Sequence, residues 1–300
     1  MTYFHKVKGS ILVSCLLALL VSCGSQKEID ARWAQDRNVA KQLTGKTVLY
    51  TIFIDSKETL PWSGFDLQST KDTLEKVVGW VKSQGAKYGK DIEIETVYAT
   101  MGKSPAIKKK LPYKSISEAF GDNGLSKGSK LSKWAEGIVK KIEKGVKLPN
   151  NEQLPKKPKL DAFHKLVEKL KKIHAADNVV IFMMVNNYFK ADVSAVINTM
   201  VDEDCEFAIN SGKNANLIAA QFLSLFGAQN LNAEWEGNYV VKELAIAEKD
   251  FPNDVMLNFE RELYQLNVGE YTAHLVGWEK NLNTRYIDLL KIEKVKKKKK

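Results

Sequence analysis

Two rhythms of apolar residues alternate along this chain. The stretch 47–55 (Thr-Val-Leu-Tyr-Thr-Ile-Phe-Ile-Asp) is dense in β-branched and aromatic residues and reads as a buried strand. After a turn around Pro61 and Gly64, the residues Leu67, Leu74, Val77, Val78 and Val81 recur at helical spacing, with Gly85 and Gly89 placed to end the helix. Residues 91–98 alternate polar and apolar, the pattern of a half-exposed strand. Residues 100–130 show no period and predict an irregular insertion with one helical turn near 116–120. Two amphipathic helices follow. The first spans 131–146, with Trp134, Ile138, Val139 and Ile142 inward; the second is marked by Leu160, Phe163, Leu166, Val167, Leu170 and Ile173. The loop between them, 147–159, is rich in proline and lysine. The nearly continuous apolar run 178–185 predicts a central strand covered on both faces. Segments 190–200 and 206–211 read as two further strands, and 27–42 as a short polar helix. Strand, helix, strand, then helices and another strand predict an α/β (α+β) sheet with right-handed crossovers.

The first residues stand apart from this pattern. Lys6 and Lys8 precede a short apolar run, 11–21, and Leu20-Val21-Ser22-Cys23 reads as a lipoprotein cleavage box. The run is too short to span a membrane as a mature helix, so 1–22 is expected to be a cleaved signal and Cys23 the lipidated residue. The alternative is an ordinary secretory signal with a chance cysteine. Lys27, Glu28 and Asp30 just after Cys23 resemble a surface-export tag of some diderm bacteria. The expected location is the bacterial cell envelope, as an outer-membrane lipoprotein on the periplasmic or surface face. The expected partition is signal 1–22, tether 23–45, folded domain 46–290 and basic tail 291–300.

Charge then excludes one class of partner. The chain carries +10, but Lys6 and Lys8 hold +2 and the tail 291–300 holds +6, which leaves +2 on the rest. A nearly balanced body is unlike a nucleic-acid-binding domain. The lysines at 296–300 read as a solvated end, with contact to anionic lipid or polysaccharide as the alternative. Cys15 lies in the signal and Cys23 is the lipid site, so Cys205 has no partner for an intramolecular disulfide.

The stretch Leu217-Ile218-Ala219-Ala220-Gln221-Phe222-Leu223-Ser224-Leu225-Phe226-Gly227-Ala228-Gln229-Asn230 has the outline of a zinc-protease helix without its chemistry. In His-Glu-x-x-His, two imidazoles sit one turn apart with a glutamate as general base, and a third ligand follows a turn glycine. Here the ligand positions hold Ala220, Ser224 and Asn230, the base position holds Gln221, and Gly227 is the turn glycine. Downstream, Phe251-Pro252-Asn253-Asp254-Val255-Met256 is similar to a methionine turn, and Tyr271-Thr272-Ala273-His274-Leu275-Val276-Gly277-Trp278 to a C-terminal helix. In this order, the chain resembles the metzincin-type zinc metalloproteases, over about residues 45–290. The resemblance implies a zincin-like fold: a twisted, mostly parallel sheet with an antiparallel edge strand, long helices, and a small, mainly helical C-terminal subdomain. It also implies a substrate groove along the edge strand, for which 190–200 is the candidate, with Ala220, Gln221 and Ser224 on its floor and Met256 beneath.

The departures set the functional expectation. Alanine offers no lone pair, serine is a poor neutral ligand, and asparagine lacks the carboxylate charge. Gln221 cannot accept and return a proton. No catalytic residue, metal or cofactor is therefore expected. His164 and His174 lie ten residues apart, and His274 alone is not a zinc site. Periodicity by itself equally describes 217–228 as an ordinary buried helix. The expected function is a membrane-anchored, catalytically inactive homologue that binds a polypeptide, as a monomer. A hydrolase with a non-standard site and a purely structural lipoprotein are the alternatives. Asp202, Glu203, Asp204 and Glu206 read as a solvated turn rather than a calcium loop, Asp192 and Ser194 lack a nucleophile elbow, and Lys108–Lys110 read as a wet loop.

Overall fold

The computed structural model describes residues 29–100, 104–112, 129–149, 154, 160–186, 194–197, 205–211, 214–232, 239–241, 244–258 and 261–294. Cys23, Asp192, 202–204, the helical turn expected near 116–120 and the lysines at 296–300 lie outside them. The chain forms a mixed α/β structure around a mostly parallel sheet. Its elements in order are β1 (Ile29–Asp30), α1 (Trp33–Arg37), β2 (Gly45–Asp55), α2 (Gly64–Lys87), β3 (Ile92–Tyr98), β4 (Ala106–Lys108), α3 (Ser129–Gly145), α4 (Ala162–His174), β5 (Asn178–Val185), β6 (Ser194–Ile197), β7 (Phe207–Asn210), α5 (Ala215–Leu225), β8 (Tyr239–Val241), α6 (Leu244–Asp250), α7 (Glu270–Leu275) and β9 (Lys291–Lys294). Two 3-10 helices, Leu263–Gln265 and Thr284–Leu290, flank α7.

The main sheet runs β3-β2-β5-β7-β6, with β4 also on β2. β2 pairs in parallel with β3 from Gly45↔Ile92 to Thr51↔Tyr98, and where β3 stops, β4 continues from Phe53↔Ala106 to Asp55↔Lys108. On its other side β2 pairs with β5, and β5 with β7, both in parallel. The edge strand β6 is antiparallel, with Ser194 opposite Asn210 and Ile197 opposite Phe207. Successive strand residues point to opposite faces. Leu49, Phe53, Val180, Phe182 and Met184 therefore pack on the side of α2 and α5. Val48, Tyr50, Ile52, Ile54, Val179, Ile181, Met183 and Val185 pack on the side of α3 and α4. Burial of both faces explains the unbroken apolar runs of β2 and β5.

Side-chain caps set the helix starts. The hydroxyl of Ser63 accepts from the Asp66 N–H at 3.1 Å, Asp161 accepts from the His164 N–H at 2.8 Å, and Asn214 accepts from the N–H groups of Asn216 and Leu217 at 2.9 and 3.1 Å. α4 ends at Ala175, which takes the left-handed conformation (φ 49°).

Several expectations need correction. α2 does not stop at Gly85 but runs through it to Lys87, because Gly85 packs against β3 rather than turning the chain. Within 100–112, part of the expected insertion is the strand β4, stabilised by pairing with β2. The polar helix over 27–42 shrinks to α1, flanked by β1 and an irregular segment. That segment is tied down by distant partners: the Asn38 side chain donates to the Leu225 carbonyl (3.1 Å), the Val39 N–H to Glu206 (2.8 Å) and the Leu43 N–H to the Val276 carbonyl (2.9 Å). Ala31, Asn38 and Leu43 have no exposed surface, so the packed body takes in residues well before 46. Glu206 is accordingly buried rather than on a solvated turn, and Cys205 beside it is buried too. At the other end, β9 takes up the first four residues of the expected tail, between β1 and β8 in a second, three-stranded antiparallel sheet.

Gly85 shows how closely α2 meets the strand that follows it. A Cβ there would lie 2.3 Å from Cδ1 of Ile92 and 3.6 Å from the Trp278 ring. Ile92 and Trp278 are buried, so neither has free space to move into. Gly85→Ala is expected to lower the unfolding free energy by ~1–3 kcal/mol, the usual effect of overpacking. In denaturant titrations, the double variant Gly85→Ala/Ile92→Val recovers most of the loss, because it removes the clashing methyl.

Candidate functional site

The site indicated by the sequence lies where α5 crosses the sheet beside β6 and β7. α5 starts four residues after β7, capped by Asn214, and its residues 216–225 are all buried. One side is aromatic: the Phe222 ring lies 6.4 Å from Phe182 of β5 and 5.4 Å from Phe226. Ala220 (4 % exposed) and Ser224 (6 %) sit one turn apart on the helix. Gln221 is held against β7, its amide donating to the Ile209 carbonyl at 3.1 Å and its oxygen accepting from the Asn210 amide at 3.2 Å. A glutamate there would set its charge against the Ile209 carbonyl, whereas glutamine satisfies both neighbours. At Gly227 the chain turns with φ +97°.

Asn230 is half-buried and closes a small local ring: its amide donates to the Asn232 carbonyl (3.2 Å), and its oxygen accepts from the Asn232 N–H (3.1 Å). The next residue links this segment to the turn expected beneath, since the Leu231 N–H donates to the Met256 carbonyl at 2.9 Å. Met256 is buried. The structure thus joins the Ala220–Ser224 helix, Asn230 and Met256 through one continuous path. His164, His174 and His274 are elsewhere: His164 pairs with Asp161, His174 with Glu95, and Nδ1 of His274 lies 3.0 Å from the Glu279 carbonyl. Among the described residues no three His, Cys, Asp or Glu side chains are grouped closely enough to hold a metal ion.

One residue in this region was not singled out from the sequence. Asp254 is wholly buried, and its two oxygens accept from separate segments, Oδ1 from the Met256 N–H and Oδ2 from the Gly269 N–H, each at 2.7 Å. The Val255 N–H donates to the Asn267 carbonyl (3.0 Å) and the Asn267 N–H to the Asn253 carbonyl (2.9 Å), so Asp254 braces the turn against the lead-in to α7. The available signal was Pro252-Asn253-Asp254, a turn sequence whose last side chain can bond the backbone two residues on. Burial pushes its carboxyl up to about 6, and the two N–H donors only partly oppose that.

No family model, no curated protein and no solved structure matches this chain. Among the described residues, no helix is long and apolar enough to cross a membrane.

The raised Asp254 carboxyl has a definite sign in folding. Its native form holds a proton more tightly than the unfolded chain, so its contribution to stability is complete below about pH 3.8 and is lost as pH rises through about 6. The span from 3.8 to about 6 corresponds to ~3 kcal/mol at most. Asp254→Asn is expected to be less stable by ~1–3 kcal/mol at low pH, since an amide oxygen cannot serve both N–H donors. Denaturant unfolding from pH 4 to 7 should show the wild type's advantage over this variant shrinking as pH rises.

Proposed function

We propose that this protein is a membrane-anchored, catalytically inactive homologue of the metzincin-type metalloproteases that holds a polypeptide in the cell envelope without cleaving it. In this reading the sheet and helices are zincin-like, and residues from α6 to the second 3-10 helix form its small C-terminal subdomain. The lipid on Cys23 is the anchor, on the periplasmic or surface side of the outer membrane, and the domain works as a monomer. The observation that carries the reading is the placement of α5. It follows β7 directly, lies beside an antiparallel edge strand, and carries Ala220, Gln221 and Ser224 in place of groups that bind metal or move protons. Support also comes from the Met256 turn, bonded beneath the chain that leaves this helix.

Among the described residues β6 has β7 on one side only, and its other edge is the one to which an extended segment would add. Strand addition there supplies affinity through main-chain bonds without demanding a particular sequence. With no metal to polarise the bound carbonyl and no base to activate water, a segment held there stays intact.

Two measurements test this. Metal analysis of the purified native chain is expected to find less than stoichiometric zinc, while the variant Ala220→His/Ser224→His/Asn230→Asp gains a zinc site. Gln221 is kept in that variant because its amide holds β7. Stoichiometric zinc in the native protein, or a folded triple variant that ignores zinc, overturns the reading. For the groove, Ala195→Pro and Val196→Pro each remove one N–H from β6, and successive N–H groups point to opposite edges. Capture of envelope polypeptides is expected to be lost in the variant that keeps its thermal stability, the one whose N–H faced outward.

A further inference from the structure

The carboxyl ends of parallel strands leave space for ligands, because the loops that follow diverge there. β2 ends at Asp55 and its neighbour β4 at Lys108. At these two strand ends lies a cavity of about 660 Å³, lined among the described residues by Lys57, Lys108, Lys109 and Lys110 together with Asp55, Ser56 and Glu58. A volume of this size falls within the range of small-molecule sites.

The lysine run is held in place by its backbone. Lys108 pairs with Asp55 in the sheet, the Lys109 N–H donates to the Asp55 carbonyl at 2.9 Å, and the Lys110 carbonyl accepts from the Trp134 indole of α3 at 2.8 Å. Gly137 on the same helix leaves room for an ammonium: Nζ of Lys109 lies 3.7 Å from the point where a Cβ would sit. Among the described residues none of the four ammonium groups is in an ion pair. One acid of the lining, Glu58, is bonded to the hydroxyl of Ser56, which holds its carboxyl below the usual range, with Lys110 adding to the effect. Four lysines thus border one half-open cleft, with Asp55 and Glu58 the acids beside it among the described residues.

We infer that this cleft is a binding site for a small polyanion carrying clustered phosphate groups. The wall contains lysines and no arginine, and lysine ammoniums act as compact point charges, suited to phosphate oxygens, where planar carboxylate recognition favours the guanidinium fork. Several ammoniums around one space suit several phosphates on one molecule. Asp55 supplies an acceptor for hydroxyls on the scaffold that carries them. The site is separate from the edge strand β6 and does not depend on what that strand binds.

The test is calorimetric titration of the full chain, purified in detergent, with inorganic tripolyphosphate at fixed ionic strength. The expected result is saturable binding that weakens as salt rises. Lys57→Gln/Lys110→Gln is expected to weaken it about tenfold or more, as loss of two charge-assisted contacts requires. Lys82→Gln/Lys249→Gln, at exposed positions on α2 and α6, leaves it unchanged. Tripolyphosphate should also slow acetylation of Lys108 and Lys110 in the unsubstituted chain, a readout that requires no variant to fold. Absence of binding overturns the proposal, as does equal loss in both double variants. Binding to phosphatidylglycerol vesicles without binding to tripolyphosphate overturns it too, because that places the lysines on a lipid surface and not around a small ligand.

Discussion

The parallel pairing of β2 with β5 is the constraint from which the other elements take their positions. Eight residue pairs, from Thr47↔Asn178 to Ile54↔Val185, send apolar side chains to both faces of the sheet. Neither face tolerates water, so each needs a helical cover, and parallel strands can be joined only by a chain that crosses a face. α2 meets both requirements between β2 and β3, and α3 with α4 does so between β4 and β5. The same parallel order sends the carboxyl ends of β2, β4, β5 and β7 to one side of the sheet. The lysine cleft and the start of α5 both follow strand ends on that side.

Elements whose apolar residues satisfy their own period were legible: β2, β5 and the three amphipathic helices match their patterns, with ends moved by a few residues. Elements defined by distant partners were not. β4 has three residues and borders Pro105 and the lysine run; it is a strand only because β3 ends early and leaves one edge of the last part of β2 open. The segment after α1 takes its shape from Leu225, Glu206 and Val276, all more than 150 residues away in sequence. Glu206 shows the limit most directly. Acidic residues in a row read as solvated, yet this one is buried because a backbone N–H requires an acceptor there.

At the candidate site, the residue identities were legible and their partners were not. The sequence shows that Ala220, Gln221, Ser224 and Asn230 lack metal and proton chemistry; only the fold shows that Gln221 is occupied in holding β7 and Asn230 in holding Asn232. A buried amide with both ends satisfied is a stable arrangement, while a buried carboxylate facing a carbonyl is not. This gives glutamine at position 221 a physical reason beyond the loss of a base. Asp254 stayed hidden for the opposite reason. Its burial follows from a turn braced between two segments, and nothing local distinguishes it from an exposed turn aspartate.

The two ends of β2 treat charge differently, and the contrast bears on what the cleft is for. At the amino end, Lys46 reaches Glu93 at 3.1 Å and Glu95 at 3.0 Å, and His174 lies 2.8 Å from Glu95. Burial pushes the Glu95 carboxyl up, and Lys46 with His174 together bring it below the usual range. Lys46, Glu93 and Glu95 thus each have a charged partner there. At the carboxyl end, four lysines border one cavity, and the acid beside them is engaged by a serine hydroxyl. Like charges held close repel, and a chain that pairs its charges at one end of a strand has the means to pair them at the other. Positive charge concentrated around a space, with its backbone pinned by Asp55 and Trp134, is the arrangement an anion would complete.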